Sequence, residues 1–207
     1  TTEIDAFNAS VLGFAGQING VDVDDYIIGN LVATLNSIFA AANVDIRVSS
    51  DASDFEGQDF STVFIAGNTE PNAFFNNGSF GASQRVDMLN VDKNDQAVVF
   101  APSLAVLGYN QDQQGADLLV QSLAAAAGRR VGELIGLRQT GLGTGNTATP
   151  IMWVNSVANA PGAGGSFAFT NVNAPLSGRT DSAIDTNFYL GVQNSLQLIQ
   201  RIIKART

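Results

Sequence analysis

Two stretches of this chain place apolar residues at helical spacing, and they limit what the rest can become. Ile28, Leu31, Val32, Leu35, Ile38, Phe39 and Ala42 follow an i, i+3, i+4, i+7 pattern. That spacing predicts a helix over residues 26–42 with one buried face. Ala116, Leu119, Val120, Leu123, Ala127, Val131 and Leu134 do the same over residues 112–136. Each stripe must be buried against another layer of secondary structure. Asp24 or Asp25 can cap the first helix, and Asn43 can end it.

Strand patterns supply that layer. Residues 11–15 read as a first strand, and residues 44–49 alternate apolar with polar in the manner of a half-buried strand. Residues 61–66, 86–91 and 97–101 are further strands, the last two joined by the turn Asp92-Lys93-Asn94-Asp95. Residues 67–84 and 159–181 are rich in Gly, Asn and Ser and predict long loops, which are commonly functional. A last helix is expected over residues 186–204, with Phe188, Val192, Leu196, Ile199 and Ile203 on one face. Ser182 and Asp185 can cap it, and Arg201, Lys204 and Arg206 complement its C-terminal dipole. The order is strand, helix, several strands, helix, loops, helix. It predicts one α/β domain over residues 1–207, a sandwich with a mixed twisted sheet, two long helices and a C-terminal helix.

Composition narrows the chemistry. The 207 residues include no His and no Cys. Histidine is the commonest metal ligand and the usual proton shuttle near neutral pH. Ser-His-Asp catalysis, His-ligated zinc and disulfide scaffolds are therefore excluded. Hydrophobic residues make up 45% and charged residues 14%, which excludes intrinsic disorder. A net charge of −9 disfavours nucleic acid and anionic membrane as partners. No stretch approaches the ~20 apolar residues of a membrane span. The charge is divided: residues 1–128 carry 3 basic and 16 acidic side chains, and residues 129–207 carry 7 basic and 3 acidic. Such a molecule can associate head to tail, unless folding interleaves the segments. Lys93 and Lys204 are the two lysines, and polar surface comes largely from amides and hydroxyls, which suits an exported protein. The chain begins Thr1-Thr2, as a processed product or an excised domain would.

Several short motifs carry little. Gly141-Leu142-Gly143-Thr144-Gly145-Asn146 follows a helix and precedes Pro150, the wrong setting for a phosphate loop. Asp22, Asp24 and Asp25, and Asp92, Asn94 and Asp95, lack the EF-hand spacing and read as a cap and a turn; calcium is the competing reading. The sequons Asn8-Ala9-Ser10 and Asn77-Gly78-Ser79 arise easily in an Asn-rich chain.

The informative stretch runs from Gly128 to Thr140. Gly128, Gly132 and Gly136 recur every fourth residue along one side of the second helix. Each costs ~0.8–1 kcal/mol against Ala, so close approach of another backbone is the expected compensation. Gly128-Arg129-Arg130-Val131-Gly132-Glu133-Leu134-Ile135-Gly136-Leu137-Arg138-Gln139-Thr140 resembles the zinc helix of metzincin metallopeptidases, H-E-x-x-H-x-x-G-x-x-H. In that motif two His one turn apart grip the metal and the Glu is the general base. Gly136 matches the motif's glycine, while Arg129, Arg130, Glu133 and Gln139 stand at the first His, the catalytic Glu, the second His and the third His. Pro150-Ile151-Met152-Trp153 is similar to the family's methionine turn, and the order of elements matches across about the whole chain.

The resemblance implies a metzincin-like domain, residues 1–136 forming the sheet and zinc-helix half and residues 137–207 the methionine-turn half. It implies no catalytic residue, no metal, no cofactor and no peptidase activity, because the ligands are replaced. Arg129 and Glu133, at i and i+4, can pair across the former metal position. The function expected is that of a non-catalytic bacterial cell-surface protein, self-assembling into a filament, sheath or surface layer, with residues 67–84 and 159–181 as intersubunit contacts. The alternative is a pseudopeptidase binding module that holds a peptide or glycan in the old cleft, beside an edge strand near residues 96–101.

Overall fold

The computed structural model describes residues 6–40, 44–48, 57–68, 80–87 and 91–137, and thereafter 149–150, 152, 167–168, 174–175, 192–193 and 198. Over these residues the protein is mixed α/β, with two long α-helices, short 3-10 turns and small sheets.

The first strand expected, over residues 11–15, is absent. Ala9–Leu12 instead form a 3-10 turn, capped by the Asn8 side chain, which accepts the Ser10 N–H at 2.8 Å. A hairpin follows. β1 (Gln17–Ile18) pairs antiparallel with β2 (Val21–Asp22). Its two-residue turn is Asn19-Gly20, both at positive φ (53° and 77°), as the favoured hairpin turns require.

The first long helix, α1, spans Val23–Phe39. Its cap is Asp22 rather than Asp24 or Asp25: Asp22 Oδ1 accepts the Asp24 N–H at 3.0 Å. Asp24 is engaged elsewhere, accepting the Ala9 N–H at 2.6 Å. Val23, Ile27, Leu31, Leu35, Ile38 and Phe39 form the buried stripe. The helix ends before Asn43, which lies outside the described residues.

Residues 44–48 are not a strand, despite their alternation. The Asn36 side chain explains why. Its Nδ2 donates to the Ile46 carbonyl at 2.8 Å, and its Oδ1 accepts the Ile46 N–H at 3.0 Å. One amide thus satisfies both backbone groups that a neighbouring strand would have taken.

The main sheet has the order β3-β5-β4. β3 (Thr62–Ala66) runs parallel to β5 (Gln96–Phe100) from Thr62↔Gln96 to Ala66↔Phe100. β4 (Gly81–Ser83) runs antiparallel to β5 with Ala82 opposite Val98. β4 lies within the expected loop 67–84, and residues 86, 87 and 91 of the expected strand 86–91 are not strand. β5 is therefore central, which corrects the edge placement of residues 96–101; β4 stands at the end of the sheet order.

A 3-10 segment, Ala101–Leu107, leads to the second long helix, α2 (Gln113–Leu134). Asp112 caps it, its Oδ1 accepting the Gly115 N–H at 2.8 Å. α2 packs between α1 and the sheet. Leu119, Leu123 and Ala124 to Ala127 are buried there with Leu31, Leu35, Phe39 and Val99. α2 is buried on nearly every side along its C-terminal half.

Beyond Leu137 the described pieces are short. β6 (Thr149–Pro150) pairs parallel with β7 (Phe167–Ala168), and β8 (Ala174–Pro175) antiparallel with β9 (Val192–Gln193). β9 falls inside the helix expected over residues 186–204, so that helix does not run through Val192 and Gln193, whose backbone is paired across to β8. Leu198 is helical; the rest of that span lies outside the described residues. Among the described residues no helix is long and apolar enough to cross a membrane.

Candidate functional site

The last turn of α2 gathers the residues that the sequence singled out. Arg129, Arg130 and Glu133 are all buried, Arg130 and Glu133 completely. Arg130 Nη1 donates to Glu133 Oε2 at 2.7 Å, an i, i+3 ion pair with both side chains fully enclosed. The Ser83 hydroxyl, on β4, donates to the same carboxylate oxygen. The pair seen on Glu133 is with Arg130, at i, i+3, where the sequence pointed to Arg129 at i, i+4. It is also no surface pair. An exposed pair on a helix contributes ~0.3–0.5 kcal/mol, whereas a buried one sets a large desolvation cost against a strong attraction. The Ser83 bond helps to offset that cost.

The backbone ties the same residue to its neighbours. The Glu133 carbonyl accepts the Asp87 N–H and the Gly136 N–H, each at 3.0 Å. Gly136 sits at φ 97°, a left-handed conformation that suits glycine at a helix C-terminus. There the chain leaves the helix axis, and the Leu137 N–H returns to the Gly132 carbonyl at 2.8 Å.

Met152 is fully buried, and it packs on α2 at Gly132. A Cβ on Gly132 would fall 2.3 Å from the Met152 Sδ. The glycine therefore makes room for a side chain, where sequence reading expected a backbone. Gln139 and the glycine-rich residues 141–146 lie outside the described residues.

The fit to a metal can be judged from these donors. Arg129 and Arg130 offer cationic N–H groups, which repel a dication. One Glu133 oxygen already accepts from Arg130 and Ser83. Zinc in such a motif needs three neutral or anionic ligands on an open face, and these residues do not fit it. Among the described residues no group of three or more acidic side chains is placed to hold a metal ion.

The acidic clusters resolve into local roles. Asp22 accepts the Asp24 N–H at the start of α1, and Asp24 accepts the Ala9 N–H of the first 3-10 turn. Asp92 pairs with Arg85 and accepts the Asn94 N–H at 3.0 Å, and Asp87 accepts the Asp92 N–H at 2.8 Å. Asp95 is buried, and burial raises its carboxyl above the usual range; Ser61 opposes this, Asp87 adds to it and Arg85 opposes it. Sequence reading did not find Ser83. Its only signal would have been a polar residue between Ala82 and Gln84 in a stretch without strand propensity. No family model, no curated protein and no solved structure matches this chain.

Proposed function

We propose that this chain is a metzincin-like domain with no peptidase activity, serving as a non-catalytic structural subunit of the bacterial exterior that assembles with copies of itself. The observation that carries the non-catalytic reading is the closed Ser83–Glu133–Arg130 cluster at the position the motif would give to zinc. A general base and an open coordination site are both needed for metal-assisted hydrolysis. Here an arginine stands at the base position and a buried ion pair occupies the ligand side.

Supporting the metzincin-like arrangement are Gly136 in a left-handed turn, Met152 packed under the last turn of α2, and an antiparallel strand beside two parallel ones. Support for assembly comes from the divided charge. Burial of Arg129, Arg130 and Glu133 leaves five cations and two acids in residues 129–207, and burial of Asp87 and Asp95 leaves fourteen acids and three cations before them. Contacts between unlike surfaces build open filaments when the rotation between copies does not close. A filament, sheath or surface layer would follow.

Sedimentation velocity over a concentration series, with negative-stain microscopy, tests assembly. Large species or ordered fibres that dissolve at high salt are expected. A strict monomer at the highest concentrations overturns the self-assembling reading. The alternative, a module that holds a peptide or glycan, draws on one feature: β4, at the end of the sheet order, carries Ser83 into the cluster. A strand added there would use β-augmentation, and its binding would respond to changes at Ser83 or Glu133.

A further inference from the structure

We infer that Arg130 is a built-in cation at the end of α2: its guanidinium holds β4 against α2 through Glu133, and its removal leaves a site for a free guanidinium ion. The inference uses the geometry of the α2 end alone, so it stands or falls separately from assembly.

Glu133 joins four pieces of chain. Its Oε2 accepts from Arg130 one turn back on α2 and from Ser83 on β4. Its carbonyl accepts from Asp87, in the segment after β4, and from Gly136, in the turn that ends α2. Both charged side chains are fully enclosed. Burial of a carboxylate requires a charge-bearing partner at close range, and loss of one partner strands the other. Replacing both by apolar groups of similar volume is often neutral. What the pair adds is direction: a planar guanidinium fixes where a carboxylate oxygen sits, and Ser83 then fixes β4 to that oxygen. The cation is covalently part of the helix.

The consequence is testable by chemical rescue. Arg130→Ala removes the cation and leaves Glu133 and Ser83 beside the vacated volume. Its melting temperature should fall by roughly 6–20 °C. Methylguanidinium chloride at low millimolar concentration should raise the melting temperature of that variant by several degrees and leave the parent unchanged. Sodium chloride at equal ionic strength should not. Equal responses to the two salts, or an Arg130→Ala variant as stable as the parent, would overturn the inference. If Arg130→Ala does not fold, the pair Arg130→Met with Glu133→Leu decides. The double variant should fold and melt within a few degrees of the parent, while Arg130→Met alone melts far below it. A double variant no better than that single one counts against the inference.

Discussion

Replacing Gly132 with alanine places a methyl group where Met152 already sits. The new Cβ would lie 2.3 Å from the Met152 Sδ, 3.1 Å from its Cε and 3.6 Å from the Leu137 Cδ1. Ordinary contacts between such atoms lie near ~3.5–4.0 Å, so the thioether must retreat by about 1 Å or more. Met152 is fully buried and has no solvent to retreat into. Overpacking of this kind costs ~1–3 kcal/mol. Alanine returns up to ~0.8–1 kcal/mol through helix propensity. The net is a loss of ~0–2 kcal/mol, or a melting temperature lower by up to roughly 8 °C in a chain of this size. Because the net is small, a double-mutant cycle is the sharper assay. With Met152→Ala as background the methyl group has room, and the same Gly132→Ala change becomes stabilising by ~0.5–1 kcal/mol. Urea denaturation of the four chains, followed by circular dichroism, gives the coupling. A Gly132→Ala effect that is the same in both backgrounds, within ~0.3 kcal/mol, refutes the packing of Met152 on α2.

Three further outcomes follow from named contacts. Asn36→Ala removes both hydrogen bonds to Ile46 and should cost ~1–3 kcal/mol, with faster hydrogen exchange at the Ile46 amide in NMR spectra. Asp112→Ala removes the cap of α2 and should cost ~1 kcal/mol in a denaturant titration. Asp95 has a folded-state pKa raised above its unfolded value, with burial the leading cause. The folded state therefore favours its protonated form. Its ionised form destabilises at neutral pH, and that penalty is relieved as pH falls through the raised pKa toward the ordinary carboxyl range. Asp95→Asn should raise stability at pH 7, with an advantage over the parent that shrinks on acidification; an advantage constant with pH would contradict this account.

What the sequence made legible was local. The apolar stripes of α1 and α2 and the start of α2 near Asp112 follow from spacing and backbone preference within a few residues. Strands β3 and β5 are short β-branched and aromatic runs, and they were legible too. β4 was not, because Gly81-Ala82-Ser83 has no strand propensity and its extended form depends on pairing with Ala97 to Val99 of β5. Residues 44–48 mislead in the opposite direction: their alternation is real, but a side chain, Asn36, takes the Ile46 backbone groups. The Asn19-Gly20 hairpin signal was present and unread. At the site, helical spacing brought Arg129, Arg130 and Glu133 together but could not choose between the i+3 and i+4 partners. The i, i+3 pair of Arg130 with Glu133 is completely buried, and burial on a helix enclosed on nearly every side is a property of the fold.

We propose that a charge cluster stands where the zinc motif that this helix resembles would hold a metal. The metal content of the purified full chain tests this most directly. The protein is incubated with excess zinc, washed free of loosely held ions and measured by mass spectrometry of the elements. Zinc far below one equivalent per chain is expected, with no change in Glu133→Gln. One equivalent of retained zinc, lost in Glu133→Gln, would contradict it.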